Sequence, residues 1–358
     1  MGKKILVTGG SGFIGSNFIR TSLREKKEWE IVNLDALTYA GNPMNLSGLP
    51  KELEQRYSFI QGNICDEALV KKLFNENDFH GVLHFAAESH VDRSILGPKT
   101  FIDTNVNGTF NLLNTSLEYW KSRDKKQFRF LHVSTDEVYG SLGPEGYFTE
   151  TTPYDPSSPY SASKAASDHI AKSYQRTYGL PVVVTNCSNN YGPYQFPEKL
   201  IPLILMNIIE EKSLPVYGDG MNVRDWLYVE DHCDAILKVF DQGRPGETYN
   251  IGGGAEYTNI GIVNLLCDLL DKRLDRNKEA SSKRLIQFVD DRPGHDRRYA
   301  IDASKIRNEL GWKPAYSFES AIEKTIDWYL SNKGWVESVR SGAYRDWLKT
   351  NYDKRIKG

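Results

Sequence analysis

A chain of 358 residues, 39% hydrophobic and 26% charged, has the composition of a soluble globular protein built as one large or two medium domains. A formal charge of −2 gives no electrostatic basis for a nucleic-acid or acidic-membrane partner, and no apolar run reaches the ~18 residues of a membrane helix. Four widely spaced cysteines (Cys65, Cys187, Cys233, Cys267) form no CxxC pair, which argues against a disulfide framework or zinc site and for reduced thiols.

The N-terminus leads directly into a strand without a signal-peptide segment, so a cytoplasmic location is expected. Residues 4–8 read as a buried parallel strand. The turn Gly9-Gly10-Ser11-Gly12-Phe13-Ile14-Gly15 then opens a helix running through Arg24. Its glycines, Gly9, Gly12 and Gly15, serve a tight turn, backbone room for a pyrophosphate and close helix–strand packing. A second strand, residues 30–34, ends in Asp35, where a ribose diol would bind. An acid with no Arg after it favours NAD over NADP, because a 2′-phosphate would meet a carboxylate.

Residues 57–61 read as a third strand ending at Gly62-Asn63-Ile64, and residues 67–75 as a short helix. A fourth strand, 81–85, leads to Ala86-Ala87-Glu88-Ser89-His90-Val91-Asp92; small residues there suit either a ligand near the backbone or plain tight packing. An amphipathic helix is expected over 105–121. The strand 128–133 follows and delivers Ser134-Thr135-Asp136-Glu137 at its end. This alternation predicts an α/β fold, a Rossmann-type doubly wound parallel sheet with ligands at the carboxyl ends of the strands.

A helix opening at Ser157-Ser158-Pro159 runs to about Tyr178, where Gly179-Leu180-Pro181 stops it. Tyr160 and Lys164 lie one turn apart on one face. A neighbouring ammonium and a cationic nicotinamide both favour phenolate, drawing the Tyr below its usual pKa of about 10. Further strands are expected at 181–186 and 248–251. Gly252-Gly253-Gly254 reads as a loop, because the fingerprint is not repeated after it. The basic loop 291–298 is either a solvated surface or a diphosphate site, with Arg292 able to grip a phosphate bidentately. With no repeat or linker, a smaller C-terminal α/β substrate domain is expected to interleave with the first. The NAD-binding domain would span 1–186 with a returning segment near 223–252, and the substrate domain 187–222 and 253–358.

An NAD site with a Tyr/Lys pair oxidises an alcohol or reduces a carbonyl. Two acids beside it permit more. Oxidising a sugar carbon acidifies the adjacent C–H; a carboxylate can remove that proton while a carboxylic acid protonates the hydroxyl one carbon further, and water leaves. One acid must be ionised and the other protonated. A nucleotide-sugar 4-epimerase or decarboxylase needs the pair but not the two acids, and a pure NAD binder needs neither.

Seven runs together carry a resemblance: 9–17 (Gly-Gly-Ser-Gly-Phe-Ile-Gly-Ser-Asn), 86–94 (Ala-Ala-Glu-Ser-His-Val-Asp-Arg-Ser), 134–140 (Ser-Thr-Asp-Glu-Val-Tyr-Gly), 160–164 (Tyr-Ser-Ala-Ser-Lys), 186–193 (Asn-Cys-Ser-Asn-Asn-Tyr-Gly-Pro), 224–232 (Arg-Asp-Trp-Leu-Tyr-Val-Glu-Asp-His) and 291–299 (Asp-Arg-Pro-Gly-His-Asp-Arg-Arg-Tyr). Through them the chain resembles the extended short-chain dehydrogenase/reductases and, among these, the dTDP-glucose 4,6-dehydratase family, from Lys3 to about Tyr352. The first and fourth runs are shared with epimerases and decarboxylases; the Thr-Asp-Glu triplet and the last run discriminate.

The resemblance implies oxidation of the sugar at C4, elimination of water across C5/C6 and hydride return to C6, giving dTDP-4-keto-6-deoxy-glucose for deoxysugar biosynthesis. NAD would be tightly bound and regenerated each cycle. Tyr160 would be the base at the C4 hydroxyl, helped by Lys164 and Thr135, with Glu137 taking the C5 proton and Asp136 protonating the C6 hydroxyl. Besides the three glycines, Tyr160 and Lys164, the implied NAD-binding set is Phe13, Ile14, Asp35, Ala36, Leu37, Thr38, Asn63, Ile64, Phe85, Ala86, Ala87, Ser89, Thr104 and Asn190. The implied substrate set is Ser89, Thr135, Asn189, Glu198, Lys199, Leu200, Pro215, Tyr217, Arg224, Asn259, Arg292, His295 and Tyr352. A homodimer is implied, through the helices from Asn105 and from Ser161. The family often has Asp where this chain has Asn63, whose amide oxygen can still accept from an adenine amino group.

Overall fold

Ile5, Leu6 and Val7 are fully buried and place β1 (Lys3–Thr8) at the heart of a sheet. A strand apolar on both faces needs cover on both, and helices supply it. In the computed structural model, which describes residues 2–123 and 127–339, the chain continues through β2 (Trp29–Asp35), β3 (Tyr57–Gln61), β4 (Phe79–His84), β5 (Arg129–Thr135) and β6 (Val182–Cys187). Six further strands follow: β7 (Asn189–Tyr191), β8 (Leu214–Tyr217), β9 (Val223–Tyr228), β10 (Thr248–Ile251), β11 (Glu256–Thr258) and β12 (Ile286–Val289).

Seven strands form one parallel sheet in the order β10-β6-β5-β4-β1-β2-β3. The expected doubly wound, Rossmann-type α/β fold is therefore present. β2 pairs on one side of β1 and β4 on the other. The direction of winding reverses there, so a crevice opens at the carboxyl ends, where ligands bind in such sheets. The helix Phe13–Glu25 starts at that crevice from Gly12, with no side-chain cap.

The helix Pro159–Tyr178 is firmly bounded. Ser158 and Ser161 form a reciprocal capping box, Pro159 takes the first turn, and Gly179 closes the end at φ +75°. The helix expected over 105–121 differs from expectation. Residues Ile102–Gly108 wind as a π-helix, and the α-helix itself is Thr109–Arg123. The wider turn accompanies two specific bonds of Asn105, which accepts from the Glu88 N–H (2.8 Å) and donates to Ser163 Oγ (2.8 Å).

β7, β9 and β11 make a small second sheet, and β8 pairs with β12. Around them the helices Leu200–Ile209, Asn259–Arg273 and Phe318–Ser331 bury Ile204, Leu266 and Ile326 in a separate core. The chain crosses between the two cores repeatedly. Within 223–252, the helix Val229–Gln242 and β10 rejoin the large sheet, whereas β9 pairs with β7 and β11. Ile306 and Trp312 also return to share a core with Trp29 and Phe240. The glycine triplet 252–254 has a packing role: a Cβ on Gly253 would sit 1.9 Å from the Trp226 carbonyl oxygen, and one on Gly252 2.2 Å from Ile301 Cγ2. Among the described residues, no helix is long and apolar enough to cross a membrane.

Candidate active site

The Gly-rich turn is shaped by contacts that leave no room for side chains. Gly9 has φ +73°, and a Cβ there would lie 2.5 Å from the Ala86 nitrogen; one on Gly15 would lie 2.3 Å from the Gly9 carbonyl. A Cβ on Gly12 would meet only the Gly9 oxygen at 3.3 Å, so that side is open. An uncapped helix start facing open space favours an anion. At the end of β2, Asp35 accepts from the Ser11 N–H through Oδ2 and from the Leu37 N–H through Oδ1, both at 2.8 Å. Burial raises its pKa, opposed by those two backbone donors. Leu37 is held at φ +52°, which turns the following segment back over the crevice.

A cavity of about 300 Å³ follows the carboxyl ends of the strands. Its dinucleotide end is lined by Gly9, Gly12, Phe13, Ile14, Gly15, Asp35, Ala36 and Thr38, with Asn63 and Ile64 at the edge. Phe85, Ala86, Ala87, Ser89 and Thr104 form the middle, and Thr135, Asp136, Glu137, Tyr160, Lys164, Asn189 and Asn190 the far end, with Glu198 and Lys199 closing it. The shape and donor set fit a dinucleotide: an anion seat, then a carboxylate, then a redox-competent Tyr. Asn63 Oδ1 accepts from the Cys65 N–H (2.9 Å), which leaves that oxygen one lone pair for a ligand.

At the far end, the Thr135 hydroxyl donates to Asp136 Oδ1 (3.4 Å) and favours the ionised form of the Tyr160 phenol. Lys164 Nζ donates to the Val133 carbonyl at 2.8 Å. The phenol is pushed well up, first by burial and then by Glu137 and Cys187, so in this environment the lowering expected from the Lys164 ammonium does not prevail. The two acids differ in their surroundings. Burial drives Asp136 well above the usual carboxylate range, and Glu137 and Asp225 drive it further against Arg224 and Thr135. Burial also raises Glu137, but Arg292, Lys199 and Arg224 all pull it back down. Neighbouring carboxyls with unequal cation support divide into an acid and a base.

The cations come from β9 and from the segments after β7 and β12. Arg224 is buried, donates to the Asp296 carbonyl at 2.9 Å and stacks 4.2 Å over the Tyr299 ring. Arg292 Nη1 lies 3.9 Å from Asp92 Oδ1, and Tyr217 donates to Asp92 Oδ2 at 3.2 Å. His295 packs edge-on to Tyr217 at 6.0 Å; burial and the Arg292 and Arg224 cations hold its pKa down at about 4. The basic loop thus turns Arg292 inward, while Arg297 pairs with exposed Asp219 and Arg298 with Glu256. Leu37, Leu200, Pro215, Tyr217, Arg224, Asn259, Arg292 and His295 are not among the residues that line the cavity. Tyr352 falls outside the described residues.

The motif reading missed Asp168. This fully buried carboxylate accepts from Ser134 Oγ (2.8 Å), the Tyr154 hydroxyl (3.0 Å) and Asn186 Nδ2 (3.4 Å), and contacts His132 Nε2 at 3.1 Å. Asn186 in turn donates to the Thr135 carbonyl at 3.0 Å. Asp168 therefore fixes the end of β5 that carries the acids, and its charge supports the Lys164 ammonium. The available signal was its spacing: Asp168 follows Lys164 by one helical turn, as Lys164 follows Tyr160.

A parallel α/β sheet with a glycine-rich anion seat and a Tyr/Lys pair at its switch point defines an extended short-chain dehydrogenase/reductase, here with two acids added at the strand end. The family model for GDP-mannose 4,6 dehydratase matches residues 6–325. A dTDP-glucose 4,6-dehydratase of Shigella flexneri is 54% identical over 98% of this chain and 99% of its own length. One from Xanthomonas campestris pv. campestris is 57% identical over 95% of this chain and 97% of its own. The solved structure of DesIV, a dTDP-glucose 4,6-dehydratase from Streptomyces venezuelae with NAD and TYD bound, superposes with a TM-score of 0.84 at 46% identity, covering 94% of this chain and 99% of that one. A UDP-glucose 4-epimerase of Thermus thermophilus in complex with NAD reaches 0.80 at 28% identity, covering 92% and 99%. The chain belongs to the dTDP-glucose 4,6-dehydratase family.

Asp168→Asn is expected to cost about 3 kcal/mol at neutral pH, because an amide presents a donor where the carboxylate accepted from several. The Asp168 pKa is depressed despite burial, by His132, Lys164 and Ser134. Its contribution is thus present above the unfolded carboxylate pKa and lost as pH falls through the folded value. Denaturant melts of both forms across acid pH check this: the gap between them should close as the wild type protonates.

Proposed function

We propose that this chain is an NAD-dependent 4,6-dehydratase that converts dTDP-glucose to dTDP-4-keto-6-deoxy-glucose. The observation that carries the reading is the unequal treatment of two adjacent buried acids beside a Tyr/Lys pair. Simple alcohol oxidation or 4-epimerisation requires only the pair.

NAD would be held at its pyrophosphate by the turn 9–15, at a ribose by Asp35 and at adenine by Asn63 and Ile64; when bound it supplies the oxidant for C4 and the reductant for C6. Tyr160 would accept the proton of the C4 hydroxyl as phenolate, a form disfavoured by burial here and favoured by Thr135 and by the positive charge of a bound nicotinamide. The resulting ketone acidifies the C5–H bond. Glu137, kept ionisable by three cations, takes that proton. Asp136, kept protonated by burial and by Glu137 itself, gives its proton to the C6 hydroxyl, and water departs. Arg224 and Arg292 suit the diphosphate, with Ser89, Asn189 and Lys199 around the sugar. Two lobes, 1–186 with a return near 223–252 and the remainder, would divide cofactor from substrate. Four unpaired cysteines accord with a cytoplasmic setting.

The deciding experiment incubates dTDP-glucose with the protein in deuterated water without added reductant. Loss of one water with deuterium at C5 is expected by mass spectrometry and NMR; an isomer of unchanged mass would point to an epimerase and sink the proposal.

Glu137→Gln should oxidise C4 yet slow water loss by about 10²–10⁴-fold. Asp136→Asn should slow the elimination similarly and spare the oxidation. Single-turnover analysis of the sugar product separates the two steps. The kcat–pH profile gives an independent check. Glu137 must be ionised, so kcat falls as acid protonates it. Arg292 lowers the Glu137 pKa, so Arg292→Met raises it and the acid limb moves to higher pH.

Large apolar side chains lie exposed on the two helices that the resemblance implies for pairing, Phe110 on the one from Asn105 and Tyr178 on the one from Ser161, and on the helical turns before them, Leu96 and Ile102. They support a homodimer. Sedimentation equilibrium should give twice the chain mass for the wild type and a weakened association for Phe110→Glu.

A further inference from the structure

The run 86–94 contributes more than its backbone. Arg93, at the end of this run, is not among the residues lining the cavity. Its guanidinium carbon sits 4.0 Å over the ring of Tyr39, and its Nε lies 3.4 Å from Glu198 Oε2. Tyr39 belongs to the segment after β2 that Leu37 turns back over the dinucleotide end of the cavity. Glu198 belongs to the segment after β7 that closes the catalytic end, and its carboxylate is almost fully buried. The opposite flank of Tyr39 meets the ring of Phe196 edge-on, with centroids 6.0 Å apart at 88°. The Thr38 side chain also favours the ionised form of Glu88, a second influence between the same run and the same segment.

The strap 36–41 and the strap 195–199 come from opposite sides of the crevice. Ala36, Thr38, Ala40 and Gly41 line it from one side, and Gln195, Phe196, Glu198 and Lys199 from the other. They meet through one aromatic ring, one buried carboxylate and the guanidinium that touches both. Arginine suits this junction, since its planar cation can stack on a ring and pair with a carboxylate at once, which a lysine ammonium does less well. We infer that Arg93 is a clasp that closes the cofactor-side strap on the substrate-side strap over the dinucleotide, and so sets how slowly NAD leaves. This rests on the NAD reading of the cavity and extends it to retention. Slow release has a clear use: a cofactor that must finish a cycle on the same sugar cannot leave between the oxidation and the final reduction.

The test measures NAD release, apart from turnover. The protein is saturated with NAD, desalted, and diluted into a trap of excess unlabelled nucleotide; retained NAD is followed by chromatography of acid-quenched samples. Arg93→Met is expected to release NAD on the order of ten-fold faster, the size of one lost half-buried cation–ring contact. Tyr39→Ala should do the same, and Tyr39→Phe, which keeps the ring, should retain NAD as the wild type does. Thermal midpoints in saturating NAD separate a loosened clasp from a damaged fold. If Arg93→Met does not fold, the Tyr39 pair decides alone. Wild-type release rates in Arg93→Met or Tyr39→Ala would overturn the clasp and leave the cofactor assignment standing. A wild-type chain that takes up no NAD would overturn the cofactor assignment itself.

Discussion

Placing two carboxyl groups on adjacent residues in a closed crevice is the constraint from which much of the surrounding structure follows. Two like charges about 4 Å apart repel by about 4 kcal/mol at an effective dielectric of about 20, and burial adds desolvation to both. The pair can persist only if one member stays protonated or cations are brought in. Both occur here, unequally. Glu137 has Arg292, Lys199 and Arg224 acting on it; Asp136 has Arg224 opposed by Glu137 and Asp225. In the proposed mechanism that asymmetry would make Asp136 the proton donor and Glu137 the acceptor without any difference in their intrinsic chemistry.

That asymmetry requires the strand end to be held still. Thr135 caps the turn Asp136–Tyr139, with its hydroxyl accepting from the Glu137 N–H at 3.3 Å. Gly140 then leaves the turn at φ +85°, where a Cβ would meet the Asp155 carbonyl oxygen at 2.4 Å. From beneath, Asp168 gathers Ser134, Tyr154, His132 and Asn186, and Asn186 passes the restraint to the Thr135 carbonyl. A single buried anion thus holds the helix carrying Tyr160 and Lys164 against the strand carrying the acids. A shift between those elements would alter the influence of Thr135 on Tyr160 and the field at both carboxyls together.

The strands and the cofactor end were legible because their signals are local. A run such as Val182–Cys187, buried at every position, announces a buried parallel strand, and the glycine spacing announces a tight turn in which Gly9 and Gly15 admit no side chain. The Tyr160/Lys164 spacing is equally local. The π-helical turn Ile102–Gly108 was not legible, since it answers to Glu88 and Ser163, partners far along the chain. Asp168 and Arg93 escaped for the same reason: each acts through residues that only the fold brings near. For Leu200, Pro215 and Asn259 no local signal exists, and they sit on second-lobe elements away from the cavity lining.

The interleaving of the two lobes has a physical rationale in the same electrostatics. The acids stand on β5 of the large sheet, but the three cations that govern Glu137 come from the segment after β7, from β9 and from the loop after β12. Those elements belong to the other lobe or its border, yet β9 runs directly into the helix Val229–Gln242, which packs against Phe13–Glu25 under the cofactor turn. A flexible hinge between lobes would let Arg224 and Arg292 drift, and the Glu137 pKa would drift with them. Repeated crossings of the chain remove that freedom. In the proposed mechanism the base would be tuned by elements outside its own sheet, and the cations placed to suit a diphosphate are the ones that draw the Glu137 pKa down against burial.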